Sequence, residues 1–352
     1  MKRKAKAPTI RDVAKLAGVS VGTVSRVMNG EPSVNDKISK TVLEQIRKLG
    51  YVPNPIAQGM RNHSTRMIGC IIRDISVPAM AALVKTAQQV LQHNNYLLLV
   101  LNHENDRENE LHIARVLESR LVDGLIWMVS SETDPRFQKF LADLSMPAVL
   151  VDRTTIGKAD SVMVDHYNGV TKATDYLLTM GHRRIALIST PTDVYSGREK
   201  LRAFSSAYHA LGLKVSENLV RTQSALPEYG YRETLKILSE DRPPTAIISG
   251  AMGMLPGVLR ALRARSVRVP NDISLISICD SDLGELSSPP ITTVRWDLSE
   301  LGRIAAELLL DRIQGRITGN PKNILLPTEF LVRQSCTPPS AAPAHSPGTV
   351  SI

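Results

Sequence analysis

The chain has 352 residues, is 43% hydrophobic, and carries 43 lysines and arginines against 34 acidic residues. That length exceeds one small core and predicts two or three compact units, while no run approaches the about 18 uninterrupted apolar residues of a membrane span. The opening MKRKAKAP is basic with no apolar run behind it, unlike a secretory signal. Three scattered cysteines, Cys70, Cys279 and Cys336, suit a reduced cytoplasm better than a disulfide framework.

Residues 9–30, TIRDVAKLAGVSVGTVSRVMNG, read as two short helices about a tight turn. Thr9 can cap the first helix with Asp12 in the capping-box position, and Ile10, Val13, Ala14 and Ala17 form its apolar stripe. Gly18 breaks it, and Ser20 caps a second helix that turns Val24 and Val27 inward. Val21, Gly22, Ser25 and Arg26 are thereby left on the outer face of a helix sized for the DNA major groove. A third helix starts at Asn35, with Ile38, Val42, Ile46 and Leu49 inward and Gly50 as its stop. A helical hairpin within a larger core would show a similar pattern, but charge separates the two readings. Residues 1–66 hold 13 lysines and arginines against four acids, and the other 286 residues balance at 30 of each sign. A basic folded unit of this kind is the electrostatic footprint of a phosphate-backbone binder.

Asn54-Pro55 then signals the start of a helix over 55–61, too short to be stable alone and weakened by Gly59. From residue 67 the pattern changes to short apolar runs, at 67–72, 96–101, 124–129, 148–151, 185–189, 246–249 and 273–278. Between them lie amphipathic stretches at 78–93, 108–120, 168–180, 200–211 and 255–265. Strand–helix alternation predicts doubly wound parallel sheets. The Pro-, Ala- and Ser-rich tail at 337–352 is expected to be disordered, and it lacks the heptads of a coiled coil. Catalytic signatures such as GxSxG, HExxH, CxxC and a P-loop lysine do not occur, and Gly250, Gly253 and Gly257 do not match GxGxxG spacing. The eight histidines show no metal-like spacing. No metal or cofactor is expected.

The segment TIRDVAKLAGVSVGTVSRVMNG, followed by VNDKISKTVLEQIRKLGYVPNPIAQGM, closely resembles the start of the lac-repressor (LacI/GalR) family of bacterial transcription regulators. VDGLIWM, MPAVLVDR, GHRRIALIS, VRVPNDISLISICDSD and PPITTVRWDLSELGR extend the resemblance over about residues 9–335. It implies an all-α helix–turn–helix head at 1–52, a hinge helix and linker at 53–66, and a two-lobed, periplasmic-binding-protein-like α/β core at 67–336. The first lobe would span about 67–163 and 293–324 and the second about 164–290 and 325–336, with chain crossings near 162–166, 290–294 and 323–327.

The resemblance also implies a cytoplasmic, homodimeric repressor of a palindromic double-stranded operator, without membrane attachment. In such a repressor Val21, Gly22 and Arg26 would read bases, Arg26 at a guanine and Val21 at a thymine methyl. Thr9, Ser20, Thr23, Ser25 and Asn29 would position phosphates, and Asn54, Ala57 and Met60 would sit at the central minor groove, with Met60 as the apolar wedge. A small effector, a sugar or polyol or else an organic acid, would lie between the lobes near Val77, Ala79, Met80, Met128, Asp152, Arg153, Ser196, Lys200, Ala225, Ala251 and Asp280. Asp152 and Asp280 would accept hydroxyls. Lys200 stands where the family usually has arginine, Ala225 where an aromatic is frequent, and Ala251-Met252 where Asn-Asp is frequent. These departures weaken the case for an ordinary pyranose, and Lys200, Arg153 and Arg73 would serve an acidic metabolite. Two alternatives share the core pattern: a solute-binding protein, which would need an export signal and no basic head, and an α/β enzyme, for which the two aspartates would be a glycosidase pair.

Overall fold

The computed structural model describes residues 8–28, 34–51, 64–119, 122–154 and 156–339. The chain divides into two compact units, Met1–Thr65 and Arg66–Ile352.

The first unit is three helices, α1 (Ile10–Ala17), α2 (Val21–Met28) and α3 (Asp36–Leu49). Val13, Ala14, Val24 and Val42 form its centre, ringed by Ile10, Ala17, Val27, Ile46, Leu49 and Tyr51. Gly18 ends α1 at φ +64, a left-handed conformation that a side chain at this position would strain. Ile38 departs from the expected inward stripe, being 38% exposed at the first turn of α3.

The second unit begins with β1 (Met67–Ile72), α4 (Pro78–His93), β2 (Leu97–Asn102), α5 (Arg107–Glu118), β3 (Gly124–Trp127), α6 (Pro135–Asp143), β4 (Ala148–Val151) and β5 (Asp160–Val164). It continues with α7 (His166–Thr179), β6 (Ile185–Ser189), α8 (Tyr195–Ala210), β7 (Val220–Arg221), α9 (Pro227–Leu238), β8 (Ala246–Gly250), α10 (Leu255–Ala264) and β9 (Ser274–Ile278). Then come α11 (Asp282–Leu286), β10 (Thr292–Arg295), α12 (Leu298–Ile313), β11 (Asn323–Leu326) and β12 (Glu329–Leu331). Two six-stranded sheets result, ordered β11-β5-β4-β3-β1-β2 and β12-β10-β9-β8-β6-β7. Every pairing is parallel except β10 with β12. Helices cover both faces of each sheet: α4 and α12 lie against one face of the first and α5 and α6 against the other. In the second sheet α7 and α8 are set opposite α9 and α10. Because both faces are buried, strands such as AVLV (β4) and IALIS (β6) are continuously apolar. The chain passes between the lobes after β5, before α12 and between β11 and β12.

The elements that periodicity did not single out are short or carry polar residues. They include β5, β7, β10, β11 and β12, and the helices α6, α9 and α12. β5 opens on Asp160, which is 1% exposed and held by Arg312 through Nε and Nη2, both at 2.8 Å. The first residues of the tail expected to be disordered are held in place. Thr337 accepts hydrogen bonds from Ser274 at 3.0 Å and His182 at 3.0 Å, and its amide donates to Ser274 at 3.1 Å. Residues 340–352 lie outside the described residues. Among the described residues, no helix is long and apolar enough to cross a membrane.

Candidate functional site

Local hydrogen bonding sets the helices of the first unit. Thr9 donates its amide (2.8 Å) and its hydroxyl (2.7 Å) to the Asp12 carboxylate at the start of α1. Ser20 accepts from the Thr23 amide at 3.1 Å and opens α2, the two hydroxyls lying 2.9 Å apart. Gly22 and Arg26 are exposed and Ser25 is half-buried, with Arg26 Nε donating to the Gly22 carbonyl at 3.4 Å. A Cβ at Gly22 would meet nothing nearer than Ser20 Oγ at 3.7 Å, so the helix surface there is low and open. Val21, expected outward, is half-buried against the three-helix core, which limits its reach. Asn29, Asn54, Ala57 and Met60, with the whole helix expected at 55–61, lie outside the described residues.

In the second unit a cavity of about 650 Å³ lies beyond the carboxyl ends of strands from both sheets, where ligands of doubly wound sheets bind. Met80, Met128, Asp152, Arg153, Ser196, Lys200, Ala225 and Ala251 line it. Three expected residues do not. Ala79 is buried at the start of α4, and Val77 packs just outside the lining, near Gly253. Asp280 turns away into a bidentate pair with Arg333, at 2.7 and 2.9 Å. The preceding residue, Cys279, adopts φ +88 and instead lies within electrostatic reach of Lys200 and Asp152. Of the two aspartates only Asp152 lines the cavity, so they do not face it together as the paired carboxylates of a glycosidase would.

The cavity wall is cationic. Arg153 is buried and fixed by Nε to the Val129 carbonyl and Nη1 to the Asp152 carbonyl, both at 2.7 Å. Lys200, 4% exposed, donates to the Gly250 carbonyl at 2.9 Å, and burial pulls its ammonium down to about 8 despite attraction to Asp152. Burial also opposes ionisation of Asp152, yet the hydrogen bond from His166 and the charges of Arg153 and Lys200 outweigh it and hold the carboxyl below its usual range. His166 Nε2 meets Asp152 at 2.8 Å, and burial lowers the imidazole, leaving the ring neutral. With Nε2 donating to the carboxylate, Nδ1 is an acceptor. Trp296 stands edge-on to His166 at 5.2 Å and packs against the cores of both lobes. Six residues of the wall carry a buried polar atom without a partner among the described residues: Arg73 Nη1, Ser130 Oγ, His166 Nδ1, Thr190 Oγ1, Asp193 Oδ1 and Trp296 Nε1. Buried polar groups are ordinarily satisfied, so their concentration at one cavity is a chemical signature of ligand contacts.

Several contacts join the two lobes at the rim. Arg107 donates to Asp193 at 2.7 Å, and the Glu132 amide donates to the Asp193 carbonyl at 2.9 Å. The Glu132 carboxylate accepts from the Tyr195 amide at the start of α8 and from Thr154.

Residues 9–54 match the model of the bacterial regulatory proteins of the lacI family, and 174–336 match a periplasmic binding protein-like domain. The chain is 31% identical over 329 residues to catabolite control protein A of Priestia megaterium, covering 93% of this chain and 98% of that one. It is 32% identical over 307 residues to the HTH-type transcriptional repressor PurR of Glaesserella parasuis, covering 87% and 90%. Among solved structures it is similar to the lac repressor dimer bound to operator and the anti-inducer ONPF, with TM-score 0.80 and 26% identity over 94% of this chain and all of that one. The chain belongs to the lacI family. As a member, it is a DNA-binding transcription regulator with an effector-binding core of two α/β lobes.

Sequence patterning gave little weight to much of this member's cavity. Trp296 lies on the segment linking β10 to α12, His166 opens α7, and residues 190–194 form the loop after β6. The rule that ligands sit past strand carboxyl ends points to the 190–194 loop and to Arg73 directly after β1. Trp296 and His166 carry no comparable local signal, because only the meeting of the lobes brings them to the wall.

Proposed function

We propose that this lacI-family member is a homodimeric, cytoplasmic repressor that binds a palindromic operator and whose DNA affinity follows occupancy of the cavity by a small polar effector. The relatives support this reading: one similar structure is the transcriptional regulator CelR in complex with cellobiose, and the lac repressor structure is a dimer on operator. Within the first unit, Arg26 and Gly22 supply the base-reading face of α2, Arg26 to a guanine. Thr9, Ser20, Thr23 and Ser25 meet phosphates, while Val21 makes at most an edge contact with a thymine methyl. Asn29, Asn54, Ala57 and Met60 keep the phosphate and minor-groove roles that the family pattern gives them. The chain acts by binding and not by turnover.

The observation that carries the effector role is the set of six buried polar atoms, without partners among the described residues, on one wall shared by both lobes. The test begins with selection of sites for the full chain from random duplex DNA. Sugars, polyols and organic acids are then titrated against the complex. A two-fold-symmetric site whose affinity shifts with one class of small molecule supports the reading; asymmetric sites, or indifference to every class, contradict it.

A further inference from the structure

We infer that the effector is a hydroxylated small molecule carrying an oxyanion, which is received by the Arg73, Arg153 and Lys200 side of the cavity. This rests on the effector role proposed above and narrows it to a chemical class.

Charge makes the first case. Arg107 and Asp193 neutralise one another at the rim, and Glu104 is exposed. Deeper in the wall, three cations, Arg73, Arg153 and Lys200, line the cavity with one buried lining carboxylate, Asp152, which is already engaged by His166, while Glu110, buried behind the wall, lies within electrostatic reach of Arg153. Arg73 is the least satisfied of them. It is half-buried, makes no side-chain hydrogen bond or ion pair with a described residue, and has Nη1 fully enclosed. Burial and the neighbouring Arg153 both lower its guanidinium, against the pull of Asp74. Mutually repelling, partly desolvated cations are costly unless an anion joins them. The Arg73 guanidinium, within reach of Arg153 and on the same cavity wall as Lys200, suits a carboxylate or phosphate oxygen pair. Its position also matters. Arg73 follows β1 in the first lobe, yet its Nη2 lies 3.6 Å from where a Cβ of Gly253 in the second lobe would sit. An anion seated there would tie the two lobes together.

Hydrogen-bond polarity makes the second case. His166 Nδ1 and Asp193 Oδ1 are acceptors, while Ser130 and Thr190 can donate or accept. Acceptors call for donors on the ligand, and hydroxyls supply them without charge. The Trp296 indole N–H and the flat ring behind it complete a site for a compact, polar carbon skeleton.

The test uses the full chain and matched probes: D-glucose against D-glucuronate and glucose 6-phosphate, and sorbitol against D-gluconate. Both tryptophans, Trp127 and Trp296, lie in the second unit, so indole fluorescence reads that unit without interference from the basic head. At least one anion is expected to bind at least about tenfold more tightly than its neutral counterpart, and the carboxylate and phosphate arms identify which oxyanion is preferred. Arg73→Leu is expected to weaken that anion by about thirtyfold or more, and Arg73→Lys by less. Equal or tighter binding of glucose or sorbitol overturns the charge inference and leaves the effector site standing. Failure of all five probes to bind overturns the class itself. Anion binding unchanged in both Arg73→Leu and Lys200→Met puts the ligand outside the cavity and contradicts the effector role as well.

Discussion

Lys200 offers a sharp energetic prediction because its ammonium is both functional and burdensome. Its proton is held with a value near 8 in the fold against 10.5 in the open chain, burial being the main cause. Since the unfolded chain binds that proton more tightly, the folded state is penalised at neutral pH by about 3 kcal/mol, and stability is regained as pH rises from 8 towards 10.5. Replacing the side chain with methionine keeps most of its volume and removes the penalty, but it takes the charged donor from the Gly250 carbonyl and leaves only the longer contact from Ser189 Oγ at 3.4 Å, which costs about 1–3 kcal/mol at every pH. The net change at pH 7 is therefore small, while the difference between variant and wild type should move by about 2 kcal/mol between pH 7 and pH 9.5, favouring the variant at the lower pH. Urea unfolding followed by indole fluorescence at the two pH values measures it. A difference that does not vary with pH would refute the assignment of a buried, charged Lys200.

The same proton governs ligand binding. Anion affinity should stay level up to about 8 and fall above it as Lys200 loses its charge, and calorimetric titration of Lys200→Met should show weaker binding without that decline. His166 is already neutral through this range and Cys279 is pushed up to about 12 by burial, so neither produces the inflection. In the first unit, Arg26→Ala should erase preference for the selected operator over random DNA while leaving weak, salt-sensitive binding, measured by anisotropy across a salt series. Asp160→Ala leaves the guanidinium of Arg312, itself hardly exposed, without its bidentate partner, and should cost about 3–5 kcal/mol in urea unfolding. Gly197→Ala places a Cβ 1.8 Å from the Pro191 carbonyl oxygen, so it should destabilise the second unit by about 3 kcal/mol or displace the 190–194 loop and weaken ligand binding.

Asp160 and Gly197 fall where sequence was least informative. The helix–turn–helix was legible because each step has a local cause: the Thr9–Asp12 box, the left-handed Gly18, the Ser20 cap and the inward Val24. Doubly wound sheets were legible for the same reason, since β1, β4 and β6 are continuous apolar runs bounded by turns. Asp280 misled because its place at the end of β9 fits a cleft residue, while the Arg333 that claims it lies 53 positions further on. Ile38 misled because it lies in the first turn of α3, and a three-helix unit this small buries only part of that helix's apolar stripe. Trp296 and His166 needed the fold, since the chain crossings that bring them to the cavity are tertiary facts. Arg73 was visible as a charge but not as an unsatisfied one.

The central claim is that occupancy of the second unit's cavity changes the DNA affinity of the first. The most direct measurement is anisotropy of the selected operator titrated with full-length protein, with and without a saturating amount of whichever probe anion binds most tightly. A change in operator dissociation constant of about tenfold or more, reciprocated by an equal change in anion affinity on DNA and lost in Arg73→Leu, is the predicted result. Operator affinity that stays the same while the cavity is demonstrably filled would contradict the account.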